Sequence, residues 1–148
     1  MAANSIREQI LLAVLDAVRP SALALGATLH RSPTVAISWK QCPALVVFPE
    51  SESITERAND RVTRVLVVRL VALARAVPPA TPETEADRLL TAAHAALLAK
   101  RNLGDLALGI QEQECEWDIE DADAVAAAIP ARYAITYRTL DTDLSTKG

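Results

Sequence analysis

The order of apolar periodicities along the 148-residue chain constrains its fold more than any single motif. Apolar residues recur at helical spacing near the start of the chain and again after a Pro-rich connector at 77–82. The other apolar segments are short or follow the two-residue period of strands. We therefore predict an α+β domain with two main helices packed on one face of a mostly antiparallel, four- to five-stranded sheet. We expect it to span residues 1–140 and to be followed by a flexible C-terminal tail at 141–148.

Both predicted helices carry end signals. Ser5 and Glu8 have the spacing of a capping box, so the first helix begins there. We expect it to end near Pro20, because proline disfavours the helical conformation in the residue before it. Thr81 suits the N-cap of the second helix, and Pro82 suits its first position.

The first half of the chain also contains two short strand candidates. Thr34 to Trp39 alternates, and Pro43 to Pro49 is a short apolar run, which predicts a pair of strands around a turn at 40–42. The polar, charge-rich segment from Glu50 to Asp60 is predicted to be a loop or a mobile arm.

The longest strand candidate runs from Arg61 to Arg75 and is largely apolar on both faces in its middle. Such a strand is expected to be central and covered on both sides, by the helices on one and by a neighbouring subunit on the other. A strand from Leu106 and a final strand from Ala126 to Leu140 are expected to form a hairpin around an acidic turn.

Composition and charge narrow the function classes. Hydrophobic residues make up 51% of the chain, which is enough for a core, and the net charge of −4 argues against a free-standing nucleic-acid binder. The charge is uneven, with a net +3 over residues 1–75 and a net −7 over residues 76–148. The halves are either two solvated faces or complementary surfaces on neighbouring copies.

Two sets of charged residues are candidates for assembly. The arginines are candidates for a subunit interface, and the acidic set is either a solvated face, a lining that faces a passing polyanion, or a surface that docks on basic residues of the next copy. Alternating acids do not match the ligand spacing of an EF-hand loop, so we assign no metal site. The interface set is Arg57, Arg61, Arg64 and Arg69; the acidic set is Glu112, Glu114, Glu116, Asp118, Glu120, Asp121 and Asp123.

No residue pattern indicates catalysis. His30 and His94 are isolated, and Cys42 and Cys115 have neither a metal-ligand spacing nor a neighbouring histidine. The phosphate-binding, nucleotide-binding and hydrolase motifs are missing from the sequence. We therefore expect no enzyme activity, no cofactor and no metal. The sequence also has no signal peptide and no apolar run that would span a bilayer, which predicts a soluble protein made in a cytoplasm, without a membrane partner.

A family resemblance rests on the order and spacing of segments. It is carried by the amphipathic opening helix, by Pro43 to Val47, by the long strand Val62 to Leu73, by the helix Thr84 to Ala99 and by the ending Tyr133 to Thr139. In this order and total length the chain resembles the tail terminator proteins of long-tailed bacteriophages.

The resemblance implies a structural virion protein. Its expected form is a homohexameric ring that caps the tail tube, stops tube polymerisation and offers the tail side of the head–tail joint. The expected partners are other copies of the chain, the tail tube protein, the connector or neck proteins, and DNA that passes through the lumen without sequence-specific binding. The expected place is the tail or neck of the virion, assembled in the host cytoplasm.

Two alternatives stay open. One is a related neck or tail-completion protein that sits between connector and tail. The other, from a different class, is a small-ligand-binding or enzymatic α+β domain, which would be monomeric or dimeric and hold a pocket with convergent polar groups.

Overall fold

Two helices lie on one face of a five-stranded sheet in the computed structural model, which describes residues 3–75, 79–116 and 126–148. The elements are α1 (Ile6–Ala24), β1 (Thr28–Arg31), a 3-10 turn (Trp39–Gln41), β2 (Ala44–Ala58), β3 (Arg61–Arg75), α2 (Pro82–Leu98), β4 (Gly109–Gln113) and β5 (Ala126–Leu140). The sheet order is β1-β2-β3-β5-β4, and β1 and β2 are the one parallel pair among these strands. The predicted α+β fold is confirmed.

Helix α1 begins as predicted and ends later than predicted. The Ser5 side chain accepts the Glu8 amide at 3.0 Å, as an N-cap does. The helix then continues through Pro20 to Ala24, so the expected end at Pro20 is wrong. The stop is Gly26, whose φ of +68° closes a Schellman motif in which the Ala27 amide donates to the Ala22 carbonyl at 2.8 Å.

Packing of the last turn explains why α1 tolerates its proline. Ala22 is 1% exposed, and the Ser21 hydroxyl donates to the Ala92 carbonyl of α2. The burial of this turn against α2 offsets the hydrogen bond that a proline cannot donate.

Helix α2 begins at the predicted cap. The Thr81 hydroxyl accepts the Thr84 amide at 3.4 Å, and Pro82 occupies the first helical position. Its buried stripe packs over β3 and β5, and His94 meets Tyr133 of β5 there.

The first strands differ from the prediction. Residues 34–38 form no strand; β1 is Thr28–Arg31 and pairs in parallel with the start of β2 through the register Leu29 to Leu45. Strand β2 does not stop at Pro49 but continues to Ala58, so the prediction of a loop at Glu50 to Asp60 is wrong. Strand β2 pairs with β3 over almost its whole length. The outer part of β2 is therefore held by backbone hydrogen bonds to β3, although most of its side chains there are exposed.

Strand β3 is central, as predicted. It lies between β2 and β5, and its pairing with β5 runs without a shift from Arg61 opposite Leu140 to Arg75 opposite Ala126. The predicted hairpin partners β4 and β5 are antiparallel neighbours, with Ile110 opposite Ile135. The acidic turn predicted between them lies outside the described residues.

The core fills the space between the helices and the sheet. Alternate residues of β3 and β5 point into it, among them Leu66, Leu70, Tyr133 and Ile135, each at most 1% exposed. Because the side chains of a strand alternate, the intervening residues point to the opposite face. That second face has neither helix on it.

The C-terminal tail at 141–148, which we expected to be flexible, folds back on the domain. The Ile6 amide donates to the Leu144 carbonyl at 2.8 Å, which satisfies one free amide at the start of α1. Thr139 bridges to Lys147, and the Asp141 amide donates to the Asp60 carbonyl at 2.8 Å. A polar segment without buried apolar side chains can still be ordered by hydrogen bonds of its backbone amides and carbonyls, which the sequence does not reveal.

Candidate assembly surface

The sheet face away from the helices is the most distinctive surface of the chain. We call it the open face, and it consists of the outward-pointing residues of β2, β3 and β5. Its apolar side chains are buried to half-buried: Ala44, Val46, Phe48, Val65, Val67, Val71, Leu73 and Ala134. An antiparallel sheet that packs one face on the core can offer its second face to solvent or to a partner.

The open face is rich in arginine. Five arginines and two glutamates lie on it, which gives these residues a formal net charge of +3 on a chain whose net charge is −4. The arginines are Arg61, Arg69 and Arg75 on β3 and Arg132 and Arg138 on β5; the glutamates are Glu50 and Glu56 on β2.

A three-residue charge cluster lies at the centre of this face. Arg69 and Arg132 are directly opposite each other in the β3–β5 register. The Glu50 carboxylate accepts from Arg69 Nη1 at 3.0 Å and from Arg132 Nε at 2.6 Å. Glu50 lies at a register shift between Pro49 and Ser51, and such a bulge re-aims a side chain, here onto the two guanidinium groups.

The electrostatics of Glu50 follow from this geometry. Partial burial raises the pKa of its carboxyl, but hydrogen bonds from Arg132 and Arg69 outweigh that effect, so the pKa lies below its usual value. Glu50 is therefore ionised near neutral pH and separates two like charges that face each other.

The four arginines predicted for an interface do not form one cluster. Arg57 and Arg61 are exposed beside the β2–β3 turn, whereas the Arg64 Nε donates to the Thr139 hydroxyl on the helix side of the sheet. Arg69 lies at the centre of the open face and takes part in the Glu50 cluster. Arg61 and Arg69 thus share the open face, and Arg57 and Arg64 lie on the other side.

The described part of the acidic set lies at the end of β4 and just beyond it. Glu112 points to the helix side, where its carboxylate is 3.6 Å from His94 Nδ1. The Glu114 carbonyl accepts from Arg132 at 3.1 Å and the Glu116 carbonyl from Arg69 at 3.3 Å, while both side chains are exposed. The rest of the set lies outside the described residues: Asp118, Glu120, Asp121 and Asp123.

These contacts show that the arginines of the open face and the start of the acidic set meet within one chain. They meet through main-chain carbonyls, which leaves the Glu114 and Glu116 carboxylates in solvent. The sequence prediction missed Glu50, Arg132 and Arg138. The alternation of the predicted strand β5 places both arginines on the open face, whereas Glu50 lies in the segment predicted to be a loop.

Other chemical groups are dispersed. Within residues 3–75, 79–116 and 126–148, no three His, Cys, Asp or Glu side chains gather as metal ligands would. His94 Nδ1 and the Tyr133 hydroxyl form a hydrogen bond at 2.8 Å. Cys42 and Cys115 are unpaired and half-buried, and burial raises the pKa of the Cys42 thiol, which disfavours a reactive thiolate.

One open cavity of about 500 Å³ lies between the end of α1 and the start of α2. Its charged lining consists of Arg75, Glu85 and Arg88, and Glu85 pairs with Arg88 at 3.2 Å. Because Glu85 and Arg88 pair with each other, the charge of Arg75 is not balanced by the other two charged residues that line the cavity.

No protein-family model matches the sequence, and neither does any curated protein. None of the helices in the described ranges is both long and apolar enough to cross a membrane.

Proposed function

We propose that this chain is a non-enzymatic structural subunit of a bacteriophage virion that forms a ring at the end of the tail tube. The ring would terminate tube polymerisation and provide the tail side of the head–tail joint, with DNA passing through its lumen. The proposal combines the resemblance of the sequence to tail terminator proteins with the properties of the open face and the acidic set.

The open face is the observation that carries the proposal. A three-stranded ladder of 15-residue strands has one face on the core and carries neither described helix on the other, and that second face contains both arginines and buried to half-buried valines. Arginine and apolar side chains are enriched where protein surfaces meet, and arginine forms bidentate pairs with carboxylates. A surface that binds another protein subunit would account for both the apolar side chains and the arginines of the open face.

The acidic set supports a lumen for DNA. Glu114 and Glu116 present their carboxylates to solvent, and the four further acids follow them in the sequence. A negatively charged wall repels phosphates and lets DNA slide without sticking. In this proposal Glu114, Glu116 and the acids that follow them in the sequence line the channel, and the open face lies at the boundary between copies.

The test is the solution mass of the purified protein by light scattering, followed by negative-stain imaging, with and without millimolar magnesium. The expected result is a closed ring of about six copies with a central channel. A requirement for magnesium would assign a role in assembly to the acidic set.

A monomer at every concentration and magnesium level would contradict the proposal. The cavity between the two helices would then favour the small-ligand-binding alternative, since its volume is in the range of ligand pockets. A tail-completion protein differs in its partner, so it would bind the connector side of the joint and leave the growing end of the tube open.

A further inference from the structure

We propose that the open face of one copy packs against the outer surface of α2 of the next copy, in a head-to-tail arrangement. This inference rests on the proposed ring and names the two surfaces that build it. It commits to a second copy of the chain as the occupant of the open face.

The outer surface of α2 is acidic at one end. Glu83, Asp87, Thr91 and Ala95 are exposed at a spacing of four residues, so they form one stripe along the helix. The stripe is acidic in its first half and has small side chains in its second half. Among the described residues Glu83 and Asp87 form no ion pair, unlike Glu85, which pairs with Arg88.

The open face complements the acidic part of this stripe in charge. It has a formal net charge of +3 and contains exposed arginines at both ends of the β3–β5 pair, namely Arg61, Arg75 and Arg138. Opposite charges across a boundary steer association and fix its register. The small side chains of Thr91 and Ala95 let a helix approach a sheet closely.

The two surfaces are also placed correctly for a ring. Helix α2 packs over β3 and β5 from the core side, so its outer surface and the open face lie on opposite sides of the subunit. Two different surfaces on opposite sides make a heterologous contact, which produces a ring when the rotation closes. A face-to-face pair of open faces would instead place arginines against arginines.

The experiment uses two charge variants of the full chain. The sheet-face variant is Arg61→Glu with Arg138→Glu, and the helix-face variant is Asp87→Lys with Thr91→Lys. All four residues are exposed, and the two helix positions lie beyond the first turn of α2, where the helix dipole has little effect. Circular dichroism and thermal unfolding establish that each variant folds.

Assembly is measured by sedimentation velocity for each variant alone and for an equimolar mixture. Each variant alone opposes like charges at every boundary, so we expect ring formation to weaken by about tenfold or more. In the mixture the acidic open face of one variant meets the basic helix of the other, and the remaining boundaries are native. The mixture should therefore recover rings with alternating subunits, which an even-numbered ring allows.

The control is Arg19→Glu with Lys147→Glu, which changes the net charge as the sheet-face variant does, at exposed residues away from the open face. It should assemble as the unmodified protein does. Unmodified assembly by both charge variants, or loss in each variant without recovery in the mixture, would overturn the sheet-to-helix contact while the ring itself stands. Failure of the unmodified protein to assemble would overturn both the contact and the proposed function.

Discussion

The replacement Glu50→Gln tests the charge cluster at the centre of the open face. The structure gives the Glu50 carboxylate two short hydrogen bonds, to Arg69 and Arg132, whose side chains are 19% and 31% exposed. Partly exposed ion pairs contribute on the order of 0.5–1 kcal/mol each. The neutral amide also leaves two guanidinium groups opposite each other without a counter-charge. We therefore expect the free energy of unfolding to fall by about 1–2 kcal/mol near neutral pH.

The fall in unfolding free energy caused by Glu50→Gln should depend on pH in a defined direction. Because the pKa of Glu50 is lowered in the folded state, its contribution to stability is present above the unfolded pKa. It is lost as the pH falls through the folded pKa, since the protonated carboxyl no longer carries the charge. The difference between the unmodified protein and Glu50→Gln should therefore shrink as the pH is lowered through the range in which glutamates titrate.

The assay is urea unfolding monitored by circular dichroism, at a protein concentration at which light scattering shows each protein to be monomeric, so that assembly does not contribute to the measured stability. The control is Glu56→Gln, an exposed glutamate on the same strand whose loss should change stability by less than about 0.5 kcal/mol. Equal effects of the two replacements, or a Glu50→Gln effect that does not depend on pH, would refute the electrostatic role of the cluster.

Two further perturbations test the rest of the fold. Deleting residues 141–148 removes the Leu144 carbonyl that accepts the Ile6 amide, so we expect urea unfolding to show a loss of about 1–2 kcal/mol; a flexible tail would give no loss. Replacing Leu97, which is fully buried, by alanine should lower the unfolding free energy by about 2–5 kcal/mol, whereas the same replacement at the 55% exposed Leu108 should change it by less than about 0.5 kcal/mol. Similar effects at both leucines would contradict the described core.

The elements that the sequence predicted are those in which local signals and burial agree. Helix α2 has its cap at Thr81, its proline at the first position and its apolar stripe, and β3 is a 15-residue segment rich in valine and leucine that is apolar on both faces in its middle. In these segments propensity, pattern and tertiary packing favour the same conformation.

The errors have a common cause, which is stabilisation by tertiary contacts that leave no local pattern. Helix α1 passes Pro20 because Ala22 is buried against the rest of the fold. The outer part of β2 is polar and interrupted by shifts near Ser51 and Glu56, so its alternation is lost although its ladder to β3 is present.

The candidate surface was predictable only in part. Arg61 and Arg69 were expected at an interface and do lie on the open face, and their parity on β3 was readable. The position of Glu50 on the open face was not predictable from the sequence, because it depends on the bulge between Pro49 and Ser51. The proximity of Arg69 to Arg132 was not predictable either, because it depends on the order of the strands in the sheet. Strand order is a property of the whole sheet and not of either segment.

Cryo-electron microscopy of the assembled protein would decide whether the open face is the assembly surface, because it shows which residues lie between copies. We predict a closed ring with a central channel, in which the open face, including Arg69 and Arg132, is buried at every boundary between neighbours. A ring whose open faces point to solvent or into the channel, or a sample that contains single copies alone, would contradict the proposed assembly.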